Sequence, residues 1–224
     1  MKIIARIRTD FPDKFGIPRQ SGLLSMLESR IVFEHEYRSP EALRGIEQWS
    51  HLWIIWQFSE SVRDDWSPTV RPPRLGGNKR VGVFATRSPF RPNPLGLSCV
   101  KLERVEKTTS EGTVLIVSGA DMLDGTPIYD IKPYLPYADA HPEASGGFAE
   151  EVFGAKLSVN FPDALLTQLP EAKREAAIAL LADDPRPAVR GKDSDRVFGF
   201  RFAGFEIKFT VSNGVLTVTS IERY

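Results

Sequence analysis

Apolar residues in the first two thirds of the chain come in short bursts separated by turn formers, with no sustained recurrence at every third or fourth position. Such bursts read as strands. The runs "KIIARI" (2–7), "RIVFEHEY" (30–37), "HLWIIWQF" (51–58), "VGVFAT" (81–86), "LSCVKLERV" (97–105) and "TVLIVSG" (113–119) are rich in β-branched and aromatic residues and bounded by Gly, Pro, Ser or Asp. One short helix is expected between the second and third runs: Ser39 stands at a capping position, Pro40 suits the first turn, and "EALRGIEQW" follows. Strands with so little helix between them predict an antiparallel sheet closed into a barrel. A Rossmann sheet needs a crossover helix after nearly every strand, and the pattern lacks them.

The pattern changes after residue 140. "ADAHPEASGGFAEEVFGAKLSVN" (138–160) has small residues, two adjacent glycines and no clear period, and reads as a linker. "FPDALLTQLPEAKREAAIALLAD" predicts helix in two pieces broken near Pro170. "DPRPAVRGKDSD" reads as a loop. Two hairpins follow, one turning near Ala203-Gly204 and one at Asn213-Gly214, a pair that suits the two positive-φ positions of a type I′ turn. The expected fold is therefore mainly β: a single-sheeted antiparallel β-barrel over 1–140, a linker over 141–160, and a small α+β domain over 161–224.

Composition narrows the classes without choosing among them. The 224 residues are 42% hydrophobic and 26% charged, ordinary values for a chain that buries a core. No apolar stretch approaches the roughly 20 residues of a membrane span. "MKIIARIRTD" has no secretory apolar region, and Cys99 is a lone cysteine, so a cytoplasmic protein without an intrachain disulfide is expected. Lys and Arg total 29 and so do Asp and Glu, but the charges are segregated. Trp66–Leu102 holds no acidic residue and seven basic ones: Arg71, Arg74, Lys79, Arg80, Arg87, Arg91 and Lys101. Residues 118–154 carry seven acidic residues against Lys132. An anionic partner therefore stays possible despite the neutral sum, because binding follows the local field.

Several chemistries lack their motifs. There is no phosphate-binding P-loop and no G-x-G-x-x-G. His35, His51 and His141 are too scattered for a zinc site, so no metal is expected, and His51 reads as a structural histidine. Ser88 and Ser98 have no evident base in the sequence. What stands out instead are three segments of Gly, Pro and polar residues beside strands: "DKFGIPRQSG" (13–22), "RPPRLGGNKRVGVFATRSPFRPNPLGLS" (71–98) and "DMLDGTPIYDIKPYLPY" (121–137). Proline stiffens such loops, so they lose little entropy on binding, and arginine offers a planar donor fork for carboxylate or phosphate.

Those strings resemble the motifs of the TsaA-like family, the tRNA (N6-threonylcarbamoyladenosine37-N6)-methyltransferases called TrmO. The likeness covers about 1–140 and continues through "LADDPRPAVR" (181–190) and the final hairpins. It implies a β-barrel that dimerises, binds S-adenosylmethionine near the dimer interface, and methylates N6 of threonylcarbamoyladenosine beside the anticodon of threonine tRNA. By motif, the implied cofactor contacts are Pro18, Arg19, Gln20, Ser59, Glu60, Arg87, Leu97, Leu123, Asp124, Gly125 and Thr126. Members of the family commonly carry histidine where this chain has Ser59, so a backbone contact is implied there. Phosphate contacts fall to Arg71, Arg74, Lys79, Arg80 and Arg91, and in the tail to Arg186, Arg190 and Lys192. Asp124, Asp130 and Asp184 are candidates to take the acceptor's proton, with water as the alternative. A non-catalytic RNA-binding barrel and an S-adenosylmethionine enzyme with another acceptor remain open at this point.

Overall fold

The computed structural model of the protein describes residues 1–72, 79–151, 154, 156–186 and 196–224. Two compact units emerge, one of Met1–Thr9 with Arg19–Tyr134, the other of Asp10–Pro18 with Leu135–Tyr224.

The first unit holds β1 (Ala5–Arg8), β2 (Glu28–Phe33), β3 (His51–Gln57), β4 (Thr69–Val70), β5 (Val81–Gly82), β6 (Leu95–Thr108), β7 (Gly112–Ser118) and β8 (Pro127–Pro133). Six of them form a closed antiparallel barrel in the order β1-β2-β7-β6-β3-β8, with β1 pairing both β2 and β8. Alternation decides which side chains face inward. In β3, Leu52, Ile54 and Trp56 are buried while His51, Trp53, Ile55 and Gln57 are only half-buried. Ile7, Ile31, Val100, Leu115, Val117, Met122 and Ile128 complete the interior with them. Burying such side chains stabilises by about 1.5–3 kcal/mol each, and this is the main term that closes the barrel.

The second unit contains α1 (Pro136–Asp139), α2 (Phe148–Glu151), β9 (Ser158–Asn160), α3 (Asp163–Leu166), α4 (Glu171–Ala182), β10 (Phe198–Phe202), β11 (Phe205–Ser212) and β12 (Val215–Arg223). The sheet order is β10-β11-β12-β9, with β9 parallel to β12. Its interior is aromatic, with Phe200, Phe202 and Phe209 buried alongside Leu180 and Leu181 of α4. Phe11 packs at a tilt against Phe202, ring centroids 5.8 Å apart, and Lys173 donates to Asp10 at 2.5 Å, which fixes the Asp10–Pro18 segment to this unit.

Five local expectations change. Residues 127–133, read as loop, form β8, because the prolines stand at the strand's two ends and leave the amides between them free to pair, with one register shift at Tyr129. "VGVFAT" yields only two strand residues; the Thr86 amide and hydroxyl both donate to the Val83 carbonyl and curl the chain into a 3₁₀ turn. "HEY" at the end of the second run leaves its strand as a 3₁₀ turn as well. The helix after Ser39 is two 3₁₀ turns separated by Gly45 at φ 85°, and the Ser39 side chain makes no cap bond. Within the stretch read as linker, Ser158–Asn160 is a paired strand. The helix break at Pro170 and both hairpins appear as expected, with Asn213 and Gly214 at φ 48° and 76°.

A close contact inside the barrel generates a test. Gly96 lies opposite Trp56, and a Cβ at Gly96 would stand 2.1 Å from the indole Cε2. Gly96→Ala is expected to destabilise the fold by about 1–3 kcal/mol in denaturant titration. Gly82→Ala, where a Cβ meets nothing within 4 Å, should leave the midpoint unchanged.

Candidate functional site

Folding joins the first segment to the second through Gln20 and Arg87, and the third to the second through Asp121 and Ser98, while the 123–126 turn bonds to β1 and Thr9. Arg87 donates to the Gln20 side-chain oxygen, joining residues 67 positions apart. The Gly22 amide donates to the Gly119 carbonyl at 2.8 Å. Gly119, at φ 79°, comes so close that a Cβ there would sit 3.1 Å from the Gly22 backbone. The Cys99 amide donates to Ser21 Oγ at 3.2 Å, which ties the same turn to β6.

Arg91 does something different from what its position suggests. Its guanidinium donates to the carbonyls of Thr86 at 2.9 Å and Ser88 at 3.2 Å, so it braces the loop that carries Arg87. The prolines and Arg91 together hold that loop's shape.

The 123–126 turn is pinned to β1. Gly125 donates to the Ile7 carbonyl at 2.8 Å, and Ile7 donates to the Thr126 carbonyl at 3.1 Å. Asp124 accepts from the Thr9 amide at 3.0 Å and faces Arg8 at 3.6 Å. Arg6 donates to the Gly125 carbonyl at 3.1 Å. Thr126 is buried, Leu123 and Gly125 are half-buried, and Asp124 is exposed.

The other expected residues divide clearly. Arg19, Ser59, Glu60 and Arg87 are exposed and Gln20 is half-buried; Pro18 is buried at the end of the segment that belongs to the second unit. Leu97 is 58% exposed on the outward face of β6, opposite Ile55 of β3. Arg71, Lys79 and Arg80 are exposed. Arg74, Arg190 and Lys192 lie outside the described residues. Asp130 on β8 pairs with Lys132 at 2.9 Å. Asp184 and Arg186 are engaged with each other through two bonds of 2.7 and 2.9 Å, which takes up both carboxylate oxygens. Among the described residues no group of three or more His, Cys, Asp or Glu is arranged to hold a metal. No helix of the described chain is long and apolar enough to cross a membrane.

Asp121 is the residue that sequence reasoning missed. Its Oδ1 accepts from Ser98 Oγ at 2.5 Å, and Ser98 accepts from Trp56 Nε1 at 2.9 Å. Burial pushes its carboxyl above the ordinary aspartate range; the Ser98 hydroxyl, its own amide, the Arg87 charge and the Ser21 amide pull the other way. Ser98 therefore does have an acidic neighbour, but it is fully buried and no substrate reaches it. A signal was present in the second and third segments, "GLS" and "DML", yet only folding pairs them.

Two surface cavities, of about 370 and 660 Å³, are not lined by the expected cofactor residues. The smaller lies between Lys2, Tyr37, Ile55, Tyr129 and Asp130; the larger faces Leu43, Trp49 and Arg104.

Comparison with known proteins agrees with the motif reading. The tRNA-methyltransferase O N-terminal domain matches residues 6–140, and the TrmO C-terminal domain matches 154–224. A tRNA (adenine(37)-N6)-methyltransferase of Escherichia coli is 40% identical, the alignment covering 98% of this chain and 96% of the relative. A protein of Pseudomonas aeruginosa described as a putative S-adenosylmethionine-dependent methyltransferase is 39% identical over 91% of this chain and 89% of its own. A crystal structure of TrmO from P. aeruginosa superposes with a TM-score of 0.77 at 32% identity, covering 99% of this chain and 95% of that one. With both family domains matched and the likeness running nearly end to end, this chain belongs to the TrmO family.

Proposed function

We propose that the loop cluster binds S-adenosylmethionine and that the chain methylates N6 of adenosine 37 in tRNA, with the threonylcarbamoyl form of that base in threonine tRNA as acceptor. The observation that carries this reading is the bond between Arg87 and Gln20, which joins two of the three segments at one place. The activity and the donor are those of the family to which the chain belongs.

The residues suit the donor's chemistry. Arg87 and Arg19 present exposed guanidinium forks suited to a carboxylate. The 123–126 turn, in the third segment, offers the Asp124 carboxylate, suited to an ammonium or ribose hydroxyl. When bound, S-adenosylmethionine supplies an electrophilic methyl carbon; the N6–C bond forms as the S–C bond breaks, and N6 loses a proton. Most of the work is positioning, and rigid loops limit its entropic cost. Asp184 is engaged by Arg186, Asp130 by Lys132, and Asp124 by the Thr9 amide and Arg8, so the proton of N6 passes to one of these carboxylates or to water.

Two further parts follow from exposure. Trp53, Ile55, Leu97 and Cys99 share the outward face of β3 and β6. This apolar face is assigned to a second copy of the chain, forming a homodimer. Trp66 and Phe84 stand 52% and 72% exposed with their rings 6.0 Å apart, beside the exposed Arg71, Lys79 and Arg80. That combination suits a single-stranded anticodon loop, phosphates on the cations and bases on the rings. Arg74 and Arg190 are assigned to the same partner. A tRNA substrate puts the enzyme in the cytoplasm.

Arg87→Ala is expected to weaken S-adenosylmethionine about tenfold by calorimetry, a loss typical of a charge-assisted hydrogen bond; unchanged affinity removes Arg87 from the site. Arg71→Ala with Arg80→Ala should reduce the slope of log affinity for tRNA against log salt by about two. Trp66→Ala should weaken tRNA binding by about 1–3 kcal/mol with the slope retained. Equal binding and slopes in all these variants would turn the basic stretch into ordinary surface.

A further inference from the structure

The polarity of the buried chain from Trp56 to Asp121 is fixed by chemistry. An indole N–H only donates. Ser98 must therefore accept from Trp56, which commits its own proton to Asp121 Oδ1. Trp56 in turn cannot move, because its ring lies on Gly96 and packs against Phe58 at 4.2 Å between centroids. The relay is rigid at its inner end and reaches the loop cluster at its outer end.

We propose that Asp121 is a positioning residue for the methyl-donor site: anchored from the barrel interior by Ser98 and Trp56, it holds Arg87 and the Ser21 turn in the arrangement that receives the cofactor. This deepens the cofactor reading above and rests on it. β6 bonds the carboxylate through Ser98 and the 17–22 loop through the Ser21 amide; β3 contributes Trp56 through Ser98, and the 82–98 loop contributes the positive charge of Arg87, whose own bond is to Gln20 of the 17–22 loop.

Energetics separate this role from simple scaffolding. A carboxyl whose folded pKa is raised binds more protons folded than unfolded, so its contribution to stability falls as pH rises through that window. Once ionised, Asp121 works against folding. A neutral amide there costs the fold nothing in charge burial but removes the pull on Arg87.

The test measures S-adenosylmethionine affinity by calorimetry, and melting temperature, from mildly acid to slightly alkaline pH for wild type, Asp121→Asn and Ser98→Ala. Wild type should bind more weakly as pH falls and Asp121 takes up its proton. Asp121→Asn should bind about tenfold more weakly at neutral pH, lose that pH dependence, and melt no lower than wild type. Removing the Ser98 hydroxyl takes away a bond to the ionised form, so the midpoint of the affinity loss should move to higher pH. No binding by wild type defeats the cofactor reading itself. Wild-type binding with unchanged affinity in Asp121→Asn, or an unmoved midpoint in Ser98→Ala, overturns the assignment to Asp121 alone. Should Asp121→Asn not fold, the Ser98→Ala midpoint decides.

Discussion

A partly buried aspartate at the edge of the barrel is the constraint on which the loop cluster depends. Asp121 sits where desolvation opposes its charge, a penalty offset there by the Ser98 hydroxyl, its own amide, the Ser21 amide and the Arg87 charge. The hydrogen bonds among them are each worth about 1.5–3 kcal/mol, as bonds to a charged group, and Arg87 adds only its charge. Together they link the barrel's interior to loops that have little core of their own. Without an anchor of this kind, proline-stiffened loops would be rigid individually but not registered to one another.

The barrel supplies the other half of the arrangement. Closure leaves β1 paired on both sides, so the turn carrying Asp124 is held by backbone bonds to Ile7, with the Arg6 and Asp124 side chains adding bonds of their own. Gly96 admits the Trp56 ring, and Gly119 admits the backbone of Gly22. Two glycines thus set two distances, one within the core and one between loops. Arg91, spent on its own loop's carbonyls, frees Arg87 to face the cluster.

Much of this was legible in the sequence, for physical reasons that differ by element. β3, β6 and β7 announced themselves because long apolar runs must be buried. The Asn213-Gly214 turn was legible because few residues tolerate two positive φ values in a row. β8 was hidden: its prolines signal a break, and only the tertiary ladder shows that they fall at the strand's ends. The short helix after Ser39 failed at Gly45, whose left-handed backbone stops propagation. Among site residues, Gln20, Arg87 and the 123–126 turn came from motif resemblance, which marks positions but not partners. Asp121 and Ser98 were invisible as a pair because 23 residues separate them and the bond exists only in the folded barrel.

The most direct test of the account is a crystal structure of the chain soaked with S-adenosylhomocysteine, the demethylated product of the donor. The account predicts density against Arg87, Gln20 and the 123–126 turn, with Asp121 still bonded to Ser98. Density in the cavity between Ile55 and Tyr129, or Arg87 turned away from an occupied site, would contradict it.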